Sequence, residues 1–212
     1  IRSNGYPLGK PSGGTSPPRS ALFAVACLFQ HSCKPNARVL WREDRQGGRQ
    51  LAIALRPIAV GEEITVQYKG GLAYAPRAVR RARLLEIFRF HCACIACAQP
   101  EGADREASDE RRQAMRSLLD EVPKAGFSDP SVLERLLSLM EAEGLDTPLD
   151  LGSVHHVAYQ LAMRTGDVHA AVAHLREACR CTELCEGAGS QLGAQLEAEL
   201  LRLRAEDSPI AS

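Results

Sequence analysis

The chain has 212 residues, 45% hydrophobic and 25% charged, an ordinary soluble composition with room for one sizeable domain or two small ones. Lys plus Arg and Asp plus Glu both total 26, so the formal net charge is zero and no global basic field argues for direct binding of nucleic acid. No apolar run approaches the ~20 residues of a membrane-spanning helix, so no membrane partner is expected. The first residue is Ile rather than Met, and the sequence reads as a piece of a longer chain in which a targeting signal can lie upstream.

In chain order, residues 9–20 are rich in Gly, Pro and Ser and read as a loop. An apolar run at 21–29 leads into His31-Ser32-Cys33. Short strands are expected at 37–41 and 50–56, around a polar, Gly-containing turn, and a third at 63–68. Residues 76–88 predict a helix, opened by Pro76 and built from good helix formers such as Ala78, Arg81 and Leu84. Gln99 to Ser108 reads as a polar linker. Met115, Leu118, Leu119 and Val122 then recur at helical spacing. Asp129-Pro130 reads as a helix cap followed by Pro at the first helical position, with Leu133, Leu136, Leu137 and Met140 as the apolar face and Gly144 as the stop. Val154, Val157, Ala158 and Leu161 repeat the spacing. Gly166-Asp167 should end that helix and cap the next, whose face is Val168, Ala171, Val172, Leu175 and Cys179. A last helix carries Leu192, Leu196, Leu200 and Leu203. The helix pair around Gly166-Asp167 is similar to a degenerate tetratricopeptide hairpin. True repeats recur at about 34 residues, and a plain antiparallel helical bundle is the equal alternative.

Eight cysteines could suggest disulfides, but Cys92, Cys94 and Cys97 crowd together at a spacing that suits a metal better. Cys179, Cys181 and Cys185 lie on a helical pattern and read as packing residues, and Cys27 sits in the apolar run. A reducing cytosol or nucleus fits best, so the expected location is cytoplasmic, nuclear or both. Arg77, Arg80, Arg81, Arg83 and Arg89 read as a solvated helix face, with attraction of an acidic partner as the rival reading. His155 and His156 are neighbours on a helix, point to different faces and make a poor metal pair.

Four features now stand in order: His31-Ser32-Cys33-Lys34-Pro35-Asn36, then Gly61-Glu62-Glu63-Ile64-Thr65-Val66-Gln67-Tyr68, a basic helix, and Phe88-Arg89-Phe90-His91 running into Cys92-x-Cys94-x-x-Cys97. This order and spacing resemble the C-terminal half of a SET domain, the protein lysine methyltransferase fold. Among SET proteins the likeness is to the SET-and-MYND (SMYD) type, where a zinc-binding post-SET segment leads into a helical C-terminal domain. The resemblance covers residues 1–98 and lacks the family's N-terminal Gly-x-Gly strand and a MYND zinc module. Asn4-Gly5-Tyr6 is weakly similar to the Asn-containing segment that reaches the cofactor pocket. Residues 104–212 resemble the helical domain in character only.

What the resemblance implies is an α+β protein: a short-stranded SET β-fold with a pseudoknot-like crossing and a post-SET zinc site, followed by an α-helical, tetratricopeptide-like or bundled, domain. Its parts would be the C-terminal portion of SET at 1–90, the zinc segment at 91–98, the linker at 99–108 and the helical domain at 109–212. The implied activity is S-adenosylmethionine-dependent methylation of a protein lysine. The competing class is a non-catalytic, SET-derived zinc scaffold whose helical half binds a protein partner.

A closed structural zinc site takes four ligands. The resemblance supplies Cys33 as the fourth beside Cys92, Cys94 and Cys97. His91 is the rival, strained by its adjacency to Cys92. Gln30-His31 occupies the place of the family's Asn-His cofactor pair, with Gln one methylene longer. Phe90 matches the aromatic residue that packs on adenine, and Phe88 stands where a second channel tyrosine is common. Tyr68 matches the tyrosine at the transfer site. The lysine amine has an unperturbed pKa of about 10.4 and must be neutral to attack, which a narrow desolvating channel favours. Asn36 is assigned to support of the crossing, and Pro35 to stiffening of its turn.

Overall fold

A computed structural model describes residues 5–8, 20–43, 48–125 and 130–207. Two units divide the chain: residues 1–72 with 77–100, and residues 73–76 with 101–212. The expected loop at 9–20 (apart from Ser20), Asn4 and the cap residue Asp129 lie outside the described residues, as does the side chain of Val122.

The first unit is built from short strand pairs. β1 (Tyr6–Pro7) pairs antiparallel with β2 (Ser20–Ala21), and a 3₁₀ turn at Ala26–Leu28 leads into β3 (Gln30–His31). β4 (Ala37–Arg42) and β5 (Arg49–Ala54) form an antiparallel hairpin in register from Ala37↔Ala54 to Arg42↔Arg49. The strands lie within two residues of the expected 37–41 and 50–56, while residues 44–47 of the turn lie outside the described residues. β6 is only Thr65–Val66 and runs parallel to β3, with Gln30 opposite Thr65 and His31 opposite Val66.

The strand expected at 63–68 is thus cut to its centre. Side chains take the backbone groups on both sides of it: Asn36 holds Glu63 and Thr65, and His31 holds Tyr68. The apolar run at 21–29 is also less buried than its composition suggests, since Leu22, Val25 and Leu28 are exposed.

α1 (Arg77–Phe88) begins just after Pro76 and buries Arg80 and Leu84, one turn apart. α2 (Ile95–Ala98) is a single turn inside the cysteine segment. Among the described residues of this unit, Cys33, Leu72, Leu84, Cys92 and Cys97 form one apolar core cluster, with Phe88 and Phe90 against it.

The second unit is helical: α3 (Ala103–Ala125), α4 (Pro130–Glu143), α5 (Pro148–Thr165), α6 (Val168–Glu186) and α7 (Gln191–Asp207). The polar stretch expected to be a linker becomes helix at Ala103. Asp104 and Glu106 in the first turn favour that, through the positive end of the helix dipole. Met115, Leu118, Leu133, Leu136, Met140, Val154, Ala158 and Leu161 form one core cluster, and Leu175, Ala178, Leu196, Leu200 and Leu203 a second. Val168 and Leu192, expected on apolar faces, are exposed instead; both lie in the first turn of their helices.

Gly166 takes the left-handed φ of 77° that closes α5, and Asp167 accepts the Ala170 N–H at 2.9 Å to cap α6. These helices approach closely, for a Cβ at Gly152 would stand 3.1 Å from Cys181 Cβ. Cys181 and Cys185 are buried and Cys179 packs on the second core cluster, as a packing role requires. His155 meets His174 across the helix pair at 3.2 Å (Nδ1 to Nδ1), while His156 turns to Gln160 on its own helix.

One charged group is central to this unit. Glu143 is buried and accepts from Ser108 Oγ at 2.6 Å and Arg112 Nε at 3.0 Å, with Arg111 at 2.9 Å. Arg112 also donates to the Ala73 carbonyl, so residues 73–76 pack with this unit. Burial pushes the Glu143 carboxyl up, but the Ser108 hydroxyl and the two guanidiniums outweigh it and hold the group below the usual carboxylate range. A lowered folded-state value means that the stabilisation is complete above the unfolded pKa of about 4.3 and is lost as pH falls through the folded value. Glu143→Gln should cost about 3 kcal/mol in urea unfolding at pH 7, because it removes the buried negative charge facing Arg112. Below about pH 4 the gap between variant and native protein should narrow. A gap that held constant into acid would assign the stabilisation to shape rather than charge.

Candidate functional site

The segment 31–36 carries the site because its side chains alternate between two tasks. Asn36, 2% exposed, donates from Nδ2 to Glu62 Oε1 and the Glu63 carbonyl, both at 2.8 Å, and accepts the Thr65 N–H at 2.8 Å. The Ser32 N–H continues the parallel pairing by donating to the Val66 carbonyl at 3.0 Å. Ser32 Oγ closes the turn through the Lys34 carbonyl at 2.9 Å and the Lys34 N–H at 3.1 Å. Glu62 completes this knot: the Arg56 guanidinium, then the Asn36 amide and the Ala59 N–H, pull its carboxyl down to about 2.

Cys33 faces the other way. Its Sγ lies with those of Cys92, Cys94 and Cys97, all four within 4.8 Å of one another. Cys33 Sγ is 3.7 Å from Cys97 Sγ, and the Cys33 N–H points at Cys94 Sγ at 3.4 Å. His91 is exposed and stands outside the group. Thiol hydrogen bonds within the cluster, first from Cys33, push Cys94 well below a free thiol and bring Cys97 down to about 6, while the same contacts push Cys33 up. Cys92 is pushed up as well, so the four thiols share their protons unevenly; four sulfurs this close are a donor set of the kind a soft metal ion takes.

Arg80 corrects the reading of α1 as a wholly solvated basic face. It is 1% exposed, donates to the Ala96 carbonyl at 3.1 Å and lies 3.7 Å from Cys97 Sγ. The signal was present in the sequence, for Leu84 one turn on marks the buried face of the helix.

An aromatic group adjoins the thiols. The Tyr68 ring packs on His31 at 5.3 Å, Phe88 at 5.3 Å and Phe90 at 6.1 Å, and His31 meets Phe90 at 5.9 Å. Arg89, between the two phenylalanines, has φ of 62°. This left-handed turn at the end of α1 brings both flanking rings to Tyr68, and it costs on the order of 1 kcal/mol for a residue with a Cβ. Nothing in the local composition announces it.

Tyr68 donates its hydroxyl to the Phe29 carbonyl at 2.6 Å, and burial first, then Cys27 and Glu63, raises its pKa. The phenol is neutral at physiological pH. Tyr6 donates to the Ala26 carbonyl at 2.7 Å, and its pKa is raised by burial and by Tyr68. His31 is buried, whereas Gln30 beside it is exposed and turns its amide to the Leu28 carbonyl at 3.4 Å. The structure thus gathers Tyr68, His31, Phe90 and the four cysteines, and leaves the Gln30 side chain at the surface.

Comparison with known proteins fits this arrangement. Residues 9–69 match the SET domain family model. The histone-lysine N-methyltransferase set5 of Schizosaccharomyces pombe is 26% identical over 178 residues, 82% of this chain and 54% of that protein. Human histone-lysine N-methyltransferase SMYD3 is 34% identical over 91 residues, 42% of this chain and 20% of that protein. The N-lysine methyltransferase SMYD2-B of Danio rerio is 30% identical over 109 residues, 51% of this chain and 22% of that protein. The SET match covers residues 9–69, and SMYD-type methyltransferases are among the proteins this chain is similar to. It spans about half or less of the length of these relatives. No helix among the described residues is long and apolar enough to cross a membrane.

Asn36→Ala should destabilise the first unit by about 3 kcal/mol, because it strips partners from the Glu63 carbonyl and the Thr65 N–H at once. Hydrogen exchange at Thr65 and Ser32 reads the effect directly. Protection that survived the substitution would show that strand pairing, not the amide, holds β3 to β6.

Proposed function

We propose that this chain forms the C-terminal part of the SET region (1–90), the post-SET segment (91–98), a connecting stretch (99–108) and the helical domain (109–212) of an S-adenosylmethionine-dependent protein lysine methyltransferase. The single observation that carries the reading is the meeting of Tyr68, His31 and Phe90 beside four cysteines, of which Cys33 is 59 or more residues from the other three, together with the SET family match over residues 9–69. A histone or other lysine-bearing protein is the substrate class that the relatives' names support. A cytoplasmic or nuclear setting agrees with that substrate and with eight free cysteines.

The donor set fits zinc. A tetrahedron of thiolates at a Zn–S distance of about 2.3 Å has edges of about 3.8 Å, and Cys33 and Cys97 already stand 3.7 Å apart. Cys33, Cys92, Cys94 and Cys97 would hold the ion, whose role is structural, and Arg80 would offset part of the negative charge of four thiolates. One zinc per chain is expected. Cys33→Ser should lower metal content and loosen the first unit, read by metal analysis and by hydrogen exchange at β3. Full occupancy in that variant would place the fourth ligand elsewhere.

S-adenosylmethionine, when bound, supplies the activated methyl group that a lysine amine displaces. This chain's residues would bind and orient. Phe90 offers an aromatic face beside His31. Tyr68 commits its proton to the Phe29 carbonyl, so its oxygen lone pairs remain to position the incoming nitrogen. The rings of Phe88 and Phe90 pack on the Tyr68 ring, and an apolar wall there would favour the neutral amine.

Two observations favour the non-catalytic scaffold as second reading: Gln30 is turned out to Leu28, and Phe88 lacks a hydroxyl at the second channel position. Calorimetric titration with S-adenosylmethionine separates the two, since a scaffold shows no binding heat. Tyr68→Phe should slow methyl transfer to a lysine peptide roughly a hundredfold, the cost of a misplaced nucleophile, with cofactor affinity near native. Gln30→Asn should tighten cofactor binding by shortening the amide arm. Full activity in Tyr68→Phe would make that tyrosine structural, and unchanged affinity in Gln30→Asn would mean that the pocket is built around the longer side chain.

A further inference from the structure

His155, a poor metal partner for its neighbour His156, meets a different histidine across the helical unit. His155 of α5 and His174 of α6 are 19 residues apart, and their Nδ1 atoms stand 3.2 Å from each other. The rings are tilted by 34° with centroids 5.5 Å apart, and both are half-buried. The backbones beneath them are close, since a Cβ at Gly152, one turn before His155, would stand 3.1 Å from Cys181 Cβ.

Two imidazoles at this separation are within reach of one ion. At a Zn–N distance of about 2.0–2.1 Å, two nitrogens on a tetrahedron stand about 3.3 Å apart, with the ion about 1.3 Å off the line that joins them. As a hydrogen-bonded pair, one ring holds its proton on Nδ1 and donates it to the other. An ion takes the place of that proton, which moves to Nε2 of the same ring, and a small rotation of each ring turns its Nδ1 lone pair to the metal. Glu177, one turn beyond His174 on α6, lies within electrostatic range of the His155 ring. Its present partner is Arg180 at 2.8 Å, an exposed ion pair whose members hold each other weakly. Arg180 also acts on His155 and opposes a cation there, which Glu177 offsets.

We propose that His155 and His174 form a second metal site, in the helical unit, for a borderline divalent ion such as zinc, with Glu177 as the third ligand. The site stands apart from the four cysteines and from the methyltransferase reading. Two imidazole nitrogens and one carboxylate oxygen suit zinc, cobalt or nickel and leave coordination open to water. A bound ion cross-links α5 to α6.

The test uses the full 212-residue chain, kept reduced, with zinc chloride as the probe. Long-range ¹⁵N–¹H spectra follow the six histidine rings through the titration, and bound zinc is counted after free ion is removed. The expected result is saturable movement of the His155 and His174 signals, with Nε2–H on both, while His156 and His169 stay in place. Amide exchange across the α5–α6 pair should slow about a hundredfold once free zinc exceeds its dissociation constant a hundredfold. His155→Gln and His174→Gln should each bind one zinc fewer than the native chain. His155 and His174 signals that ignore zinc, or a full zinc count in both variants, overturn the proposal and leave a hydrogen-bonded pair. Unchanged uptake in Glu177→Gln overturns the third ligand. Should a histidine variant fail to fold, the ring signals of the native chain decide alone.

Discussion

Residues 31–36 must satisfy two distant partners at once, and this constraint organises the first unit. Asn36 ties the segment to Glu62, Glu63 and Thr65 by three bonds of 2.8 Å, while Cys33 reaches sulfurs 61 and 64 residues away. Each tie closes a long loop, and loop closure costs entropy that only tight local bonding offsets. The two ties differ in kind. The first is a net of neutral and charge-assisted hydrogen bonds that is complete in the protein alone. The second is a cluster of four thiols whose sulfurs all lie within 4.8 Å of one another.

The sequence was most readable where a period or a motif acts on its own. The helices of the second unit follow their apolar spacing, and the Gly166-Asp167 boundary is where a left-handed glycine and a capping carboxylate can sit side by side. The β4–β5 pair likewise lies close to the two short strands expected there. Readability fails where a side chain replaces a backbone partner. β6 shrinks to two residues because Asn36 and His31 take the groups that a longer ladder would use. Arg80 was misread because charge suggests solvent, whereas the Ala96 carbonyl and the Cys97 sulfur give its buried guanidinium acceptors. The order of the motifs identified the SET portion, which the family match over residues 9–69 supports. The convergence of His31 on both Tyr68 and Cys33 needs three dimensions to be seen.

The two units rest on different physics. In the second, long apolar side chains such as Met115, Leu136, Met140, Leu175 and Leu203 are buried to 1% exposure or less, and burying each is worth roughly 1.5–3 kcal/mol. The Glu143 network adds specificity to a core that already carries stability. In the first, the cluster of buried apolar residues among those described holds Leu72 and Leu84 beside Cys33, Cys92 and Cys97. A cysteine buries little apolar surface compared with leucine or phenylalanine, so a core made of thiols cannot supply the same driving force. Such a unit needs its cysteines to do more than pack. A bound cation would convert them from a small apolar cluster into a strong cross-link between the segments around Cys33 and Cys92 to Cys97. The same atoms would then serve as fold and as site, and any ligand pocket built on Tyr68, His31 and Phe90 inherits its rigidity from sulfur chemistry rather than from hydrophobic burial.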